Sequence, residues 1–383
     1  QLFCVYHRWA EDGSDRVLAI DRQDWAGKRM IILGPTTTPQ PAPARPALYG
    51  FSGDEWRRDK GWALKDGALV QGEENALVAR ASYATEIAFY VLELSLKSLN
   101  DPSKEGLFGL ELSGAGHVFR FSLSPESKEA VITGGTKNSG EQRFKLPPEF
   151  DVTAFHLLRV EVNGDFVSIA LDSLAIWQDR IDAPPHEVAL LTQKVSAAFA
   201  GLALTYGWED LFMGQAIYPS EMGWKVEESS GHWSIRDQAL WSSNDEDQRS
   251  SITKGPLFGS YELVVNARLN DASTANACYG FYPALDERAG GPLFTVERDG
   301  EGWSLFAHAT TGRQAFMLPV GFDPQAYQQF RFRKSGGRLT FQLEAVALGE
   351  VEADAAPTRV GLFARGASAA FEMVRVTAIV DNM

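Results

Sequence analysis

The chain says nearly the same thing twice, and that repetition limits what it can fold into more than any other feature. Gly61–Leu69 (GWALKDGAL) is echoed by Gly231–Leu240 (GHWSIRDQAL), and Ala88–Leu94 (AFYVLEL) by Gly259–Val265 (GSYELVV). Phe155–Glu161 runs to a turn at Asn163-Gly164, as Tyr327–Arg333 runs to one at Gly336-Gly337. Toward the end, Ala200–Leu204 matches Arg359–Phe363, and the closing segments Trp208–Phe212 and Phe371–Arg375 follow. The offset is about 171 residues early on and falls to about 160 at the end in this alignment. A long period seen twice means two copies of a whole domain, not a solenoid.

Within each copy short alternating segments recur with turn signals between them, and none carries a sustained helical period. Arg159–Asn163 and Phe166–Asp172 show the pattern best, as two alternating strands joined at Asn-Gly, a strong short-range hairpin cue. The expected fold is all-β: a partial β-propeller blade followed by two tandem antiparallel jelly-roll sandwiches of the concanavalin A or laminin G type. The one segment with a helical look, Glu187–Lys194, reads as a short turn. The expected domains are 1–46, 47–215 and 216–383, with a linker at Gly214–Glu221. Thr36–Pro46 marks the first boundary, because four of the eighteen prolines (Pro39, Pro41, Pro43 and Pro46) crowd there with Pro35 just ahead, and favour an extended path.

Ahead of that boundary, Leu2–His7, Arg16–Asp21 and Arg29–Leu33 read as a three-stranded meander, with Asp12-Gly13 in its first turn. Three short strands leave one apolar face and both edges open, so they need neighbours. Beginning inside a strand, the chain reads as a fragment of something larger. The run YHRWAEDGSDRVLAIDRQDWAGKRMIILGPTTTPQPAP resembles the last blade of the five-bladed propeller of glycoside hydrolase family 43, the β-xylosidases and α-L-arabinofuranosidases. The remainder resembles the concanavalin A-like sandwiches that follow the propeller in some members.

The resemblance implies that His7 sits near a calcium ion on the propeller axis and that Arg16 lines the sugar site, with Trp25 at an aromatic position of the family. It also implies partners: the remainder of the propeller, in the same gene product or a separate chain, and a plant cell-wall oligo- or polysaccharide. The family's three catalytic carboxylates come from earlier blades, which this sequence lacks, so the chain is expected to be inactive alone. A carbohydrate-binding tandem and a purely structural or protein-binding pair are the competing readings.

Among aromatics that could stack on a sugar ring, Trp241 is chosen because the polar loop Ser242–Gln248 follows it. Within that loop Asn244–Asp247 offers oxygen ligands but lacks the spacing of an EF-hand, so a solvated charge run is expected. Trp62 and Trp233 recur in both copies and are expected in the cores. Six scattered histidines make no ligand pair at helical spacing, and Cys4 and Cys278 read as two separate thiols. A net charge of −14 without a basic cluster argues against nucleic acid. The sequence has no run of eighteen apolar residues, so no transmembrane helix is expected.

Overall fold

The computed structural model describes residues 2–379 apart from 11, 27, 35–45, 52–54, 74–75, 101–104, 136–139, 213–215, 230–231, 244–247, 273, 287–289, 301 and 310–311. The proline-rich stretch 35–45 and the acidic loop Asn244–Asp247 therefore lie outside the described residues. The chain is all-β. Among the described residues the one helical element is a 3-10 turn, Pro219–Met222, within the expected linker. No helix is long and apolar enough to cross a membrane. Two compact units emerge: residues 46–208, and residues 1–45 together with 209–383. The N-terminal meander thus falls in the same unit as the second copy.

The first unit is a two-sheet sandwich. One sheet runs in the order Gln142–Lys145, Glu129–Thr133, His117–Ser124, Leu107–Gly114, Glu187–Gln193, Ala79–Ala84 and Arg57–Arg58. The other runs Leu174–Arg180, Phe166–Leu171, His156–Asn163, Phe89–Ser98, Ala197–Asp210, Ala68–Gln71 and Trp62–Lys65, with Leu48–Tyr49 also paired to Ala197–Asp210. The last two residues of Ala197–Asp210 belong to the other unit. Alternation drives the packing. Phe89–Ser98 buries every second side chain, so Tyr90, Leu92, Leu94 and Leu96 fill the core while their neighbours face outward. His156 hydrogen-bonds the Asp172 carboxylate at 2.6 Å and the Asp151 carbonyl at 2.7 Å and stacks on Phe150, which ties a strand end to its loop.

The second sandwich repeats this order strand for strand. Its first sheet runs Gly312–Met317, Gly302–Ala309, Leu293–Asp299, Cys278–Leu285, Thr358–Arg365, Arg249–Phe258 and Lys225–Ser229. Its second runs Val346–Glu352, Arg338–Leu343, Gln328–Ser335, Tyr261–Ala272, Ala367–Ala378, Ala239–Ser243 and His232–Arg236. Aromatic rings lock the two sheets together, with Phe281 against Phe330 at 4.8 Å and Phe294 against Phe341 at 4.8 Å between centroids. The registers confirm the duplication in detail: Trp62 packs on Phe199 as Trp233 packs on Phe371. The paired hairpins turn at Gly164 (φ 68°) and Gly336 (φ 55°), a left-handed conformation that glycine adopts without a Cβ penalty.

Two expectations are corrected here. Glu187–Gln193 is a central strand, with five consecutive buried residues between flanking partners on both sides. Reading it as a turn displaced the end of the alignment by one strand. The counterpart of Thr358–Arg365 is Glu187–Gln193, not Ala200–Leu204, and the offset stays near 172 to the end, since Phe199 corresponds to Phe371 and Leu204 to Val376.

The meander is a three-stranded antiparallel sheet of Leu2–Trp9, Arg16–Ala26 and Arg29–Ile32. A propeller blade has four strands as a rule, so the blade assignment is not confirmed by this architecture. One end of the sheet lies on the outer face of the Tyr261–Ala272 sheet. There the Asp24 carboxylate accepts from Arg331 and, at 2.7 Å, from Arg375. Glu262 bridges Arg22 at 2.8 Å and Arg331 at 3.2 Å, while Glu209 meets Arg375 at 3.4 Å. Asn266 and Gln329 both donate to the Trp25 carbonyl, at 3.0 and 2.8 Å. Three arginines and three carboxylates thus balance beneath the sheet, and Ala26, Ile31 and Leu33 form a small apolar cluster beside them. Burial works against the Asp24 charge, but Arg375, Arg331 and the Trp25 N–H outweigh it and hold the carboxyl at about 2. Burial pulls Arg331 down to about 10, which leaves it charged at neutral pH. The other end of the same sheet carries Phe3, Val5, Trp9, Leu18 and Ile20, all exposed.

Candidate functional site

The residues chosen from sequence do not come together. His7 stands exposed on the meander, opposite Leu18 in register, and among the described residues no group of three or more His, Cys, Asp or Glu side chains could hold a metal ion. Val5, Trp9 and Leu18, its neighbours on that face, carry no side-chain oxygen. Arg16 is exposed opposite Trp9, its guanidinium 5.3 Å from that ring, an arrangement of cation over aromatic face. Trp241 is a correction. It is only 7 % exposed, its indole N–H donates to the Arg236 carbonyl at 3.0 Å, and the Arg236 and Arg268 guanidiniums lie 4.5 and 5.6 Å from its ring. With Ala239 and Ala370 packed against it as well, the indole is a core residue, not a platform for sugar. Cys4 and Cys278 are both free thiols.

The concave feature that the sequence did not announce lies on the outer face of the Cys278–Leu285 sheet. Alternation sends Tyr279 and Phe281 inward to the core, so Cys278, Gly280 and Tyr282 face outward. Their cross-strand partners Arg365, Phe363 and Gly361 share that face, as do Arg249, Ser251 and Thr253 one strand further out. On the other side Gly280 pairs with Thr295. The result is a groove of about 530 Å³. Its floor is apolar, with Cys278, Leu293 and Phe363 buried and the half-buried Tyr282 set edge-on to Phe363 at 6.2 Å. Gly280 is required in this floor, because a Cβ there would stand 2.1 Å from the Phe294 carbonyl oxygen.

Polar side chains ring the floor. Glu297 accepts from the Thr295 hydroxyl at 2.5 Å and from Arg313 at 2.8 Å, with His308 at 3.3 Å. Burial lowers the His308 imidazole below its ordinary range despite Glu297, so it is predominantly neutral at pH 7. Across the groove, Glu227 accepts from Thr253 at 2.8 Å and meets Lys225 at 3.2 Å. Burial opposes the Glu227 charge, but Thr253, Lys225 and the field of Arg359 hold its carboxyl below the usual range. The groove therefore offers hydrogen-bond acceptors and donors around an apolar floor.

The matching face of the other copy is built differently. Gly109 and Gly280 are equivalent, each too close to a carbonyl oxygen of the next strand to carry a Cβ, and the registers place Glu111 at the position of Tyr282 and Arg80 at that of Ser251. Likewise Glu187 takes the place of Arg359, and Arg120 that of Leu293. In the first sandwich these four form a lattice of ion pairs. The buried Glu111 bonds Arg80 at 2.5 Å and Arg120 at 2.6 Å, and Arg80 also bonds Glu187 at 3.0 Å. Exchanging that lattice for Ser, Tyr, Arg and Leu empties the face and lines it with an aromatic ring.

No family model matches the sequence, and no curated protein matches it. Solved structures similar to it include a carbohydrate-binding module, CBM66, from Bacillus subtilis, at 15 % identity and TM-score 0.35, covering 44 % of this chain and 99 % of that one. The laminarinase catalytic domain from Thermotoga maritima is similar at 9 % identity and TM-score 0.35, covering 45 % and 98 % of the two chains. A β-glucanase from Bacillus licheniformis is similar at 10 % identity and TM-score 0.34, covering 45 % and 97 %.

Proposed function

We propose that the chain is a carbohydrate-binding protein whose ligand lies in the groove of the second sandwich. The observation that carries this is the chemistry of the groove: an aromatic ring and apolar floor for the C–H face of a sugar, ringed by hydroxyl, carboxylate, imidazole and guanidinium groups at fixed positions for its hydroxyls. The first sandwich, with its matching face closed by ion pairs, serves as scaffold. Replacing Tyr282 by Ala removes the ring but neither sheet register nor ion pair. Retention of the full chain in affinity gels cast with xylan, arabinan or β-glucan is expected to fall by about tenfold or more for at least one of these glycans. Equal retention of wild type and Tyr282→Ala on every gel would remove the groove from the account.

A finer reading is favoured by the N-terminal sheet. Phe3, Val5, Trp9, Leu18 and Ile20 leave an apolar face at the end away from Asp24, which suits a further sheet against it. By this reading the sheet belongs to a family 43-like propeller acting on xylan- or arabinan-type polysaccharides, the other blades bring the acid and base, and His7 and Arg16 contribute to its centre. The sandwiches then hold the substrate near that centre.

A further inference from the structure

We infer that the groove is one half of a longer site, and that the chain binds internal stretches of a linear, neutral polysaccharide. This deepens the binding reading given above and rests on it. The groove already crosses six neighbouring strands, from Lys225–Ser229 to Gly302–Ala309, which at about 4.8 Å per strand is roughly 24 Å. That length suits several sugar rings in a row better than one terminal ring. Beside it a second cavity of about 670 Å³ opens between Gly312–Met317 and Val346–Glu352, the edge strands of the two sheets. Gly290 and Gly291 line both hollows, so the two meet there. On the groove side Asp286 donates its N–H to the Gly290 carbonyl at 3.0 Å, which closes the turn that carries both glycines. A Cβ on Gly291 would stand 2.0 Å from the Ala284 carbonyl oxygen, so this position is confined to glycine. These two residues therefore put no side chain between the hollows.

The duplication shows how the second cavity arises. Pro292, two residues before Phe294, holds the place of Phe119, two residues before Phe121. Register puts Gly349 where the first copy has Trp177, with the Phe316 ring lying over Gly349. Ala353, whose N–H donates to the Gly337 carbonyl, replaces Ile181, whose N–H donates to the matching Asp165 carbonyl. In the first sandwich Phe119 and Trp177 stack at 4.8 Å, and Ile181 is buried and bridges to Gly135. Three bulky side chains thus pack into a corner that Pro, Gly and Ala leave open in the second. Alternation turns Ala307 and Ala309 inward there, which gives the cavity an apolar lining like that of the groove. Charge selects among glycans. In the groove Arg249, Arg359 and Arg365 balance Glu227, Asp286 and Glu297. In the second cavity Arg313 stands against Glu350, Glu352 and Asp354, an acidic excess, and Glu297 already holds Arg313. Carboxylates there accept hydrogen bonds from sugar hydroxyls, whereas they repel a polyanion, as does the net charge of −14.

Calorimetry on the full chain tests this with neutral oligosaccharides of increasing length, cut from whichever of xylan, arabinan or β-glucan retains it. Affinity is expected to rise by about tenfold or more from the trisaccharide to the hexasaccharide. On the intact polysaccharide several protein molecules are expected per chain, because internal stretches recur along it. Pro292→Phe/Ala353→Ile carries two side chains of the first sandwich into the second cavity. It is expected to bind the hexasaccharide about tenfold more weakly and the trisaccharide as wild type does. The length series needs no variant, and if the double variant melts early the single Ala353→Ile takes its place. An oligogalacturonide of six residues is expected to bind at least about tenfold more weakly than the neutral hexasaccharide. Affinity that stops rising at the disaccharide, or one protein molecule per polysaccharide chain, overturns the longer site and leaves the groove reading intact. A variant that keeps the full gain with length removes the second cavity from that site. Equal or tighter binding of the oligogalacturonide overturns the choice of a neutral glycan, and retention on none of the three polysaccharides overturns both readings.

Discussion

Replacing Asp24 by Ala is expected to cost about 3–5 kcal/mol, because it leaves Arg331 buried and Arg375 half-buried with their shared counter-ion gone. For a unit of this size that corresponds to a fall of about 6–20 °C in its melting temperature. The loss comes from the excess positive charge left in the cluster, where Glu262 and Glu209 then face three arginines, more than from a missing attraction. The double variant Asp24→Ala/Arg331→Met should therefore recover much of it, since exchanging a buried ion pair for apolar side chains is close to neutral. A melt in which Asp24→Ala matches wild type would mean that the meander is not held through this cluster. The pH dependence follows with a definite sign. Asp24 has a folded-state value of about 2 against 3.8 in the unfolded chain, so its contribution is complete above about pH 4 and fades as the pH falls toward 2. That difference amounts to roughly 2 kcal/mol. The gap in melting temperature between wild type and Asp24→Asn should close across that window and stay constant above it.

Closing the groove is the second large effect. The first sandwich carries Arg80 and Glu111 where the second has Ser251 and Tyr282, and in that copy the two form an ion pair across the face. The double variant Ser251→Arg/Tyr282→Glu transplants this pair onto a sheet of matching register. It should fold, because the same chain already holds the arrangement once. Glycan binding should drop below detection, at least about a hundredfold, since it loses the ring and has its floor covered. Each single substitution puts one charge into the groove without its partner and should destabilise the sandwich more than the pair does. Binding by the double variant at wild-type strength would show that sugar, if bound, sits elsewhere.

Much of the fold was legible because β alternation and turn residues act locally. Trp62 and Trp233, with the glycine turns at Gly164 and Gly336, mark equivalent positions in the two copies, and the structure gives them the same packing and register. Glu187–Gln193 was missed for a physical reason. Its inner face lies in the core and its outer face beneath the Arg80–Glu111–Arg120 lattice, so both faces are buried and the polar alternation that signals a strand is absent. Trp241 misled because a polar loop follows it, while the arginines that cover its ring come from Arg236 on the adjacent strand and Arg268 on another.

The groove was illegible for the same reason. Glu227, Arg249, Tyr282, Thr295, His308 and Arg365 lie on six different strands, and only lateral pairing assembles them. One signal was present all the same. Set side by side in correct register, the two copies differ in charge at these outward positions, and that difference marks the face where one copy does something the other does not. Asp24 was hidden differently, since an Arg22-x-Asp24 alternation reads as solvent-facing until Arg331 and Glu262 are seen beneath it.

The most direct test of the groove as the glycan site is hydrogen–deuterium exchange of the full chain with and without an oligosaccharide of whichever glycan, xylan, arabinan or β-glucan, retains it. The account predicts slowed exchange in residues 249–253, 278–282, 293–297 and 359–365, with the matching segments 78–82, 107–111 and 187–193 of the first sandwich unchanged. Protection confined to the first sandwich or to the N-terminal sheet, with none along the groove, would contradict it.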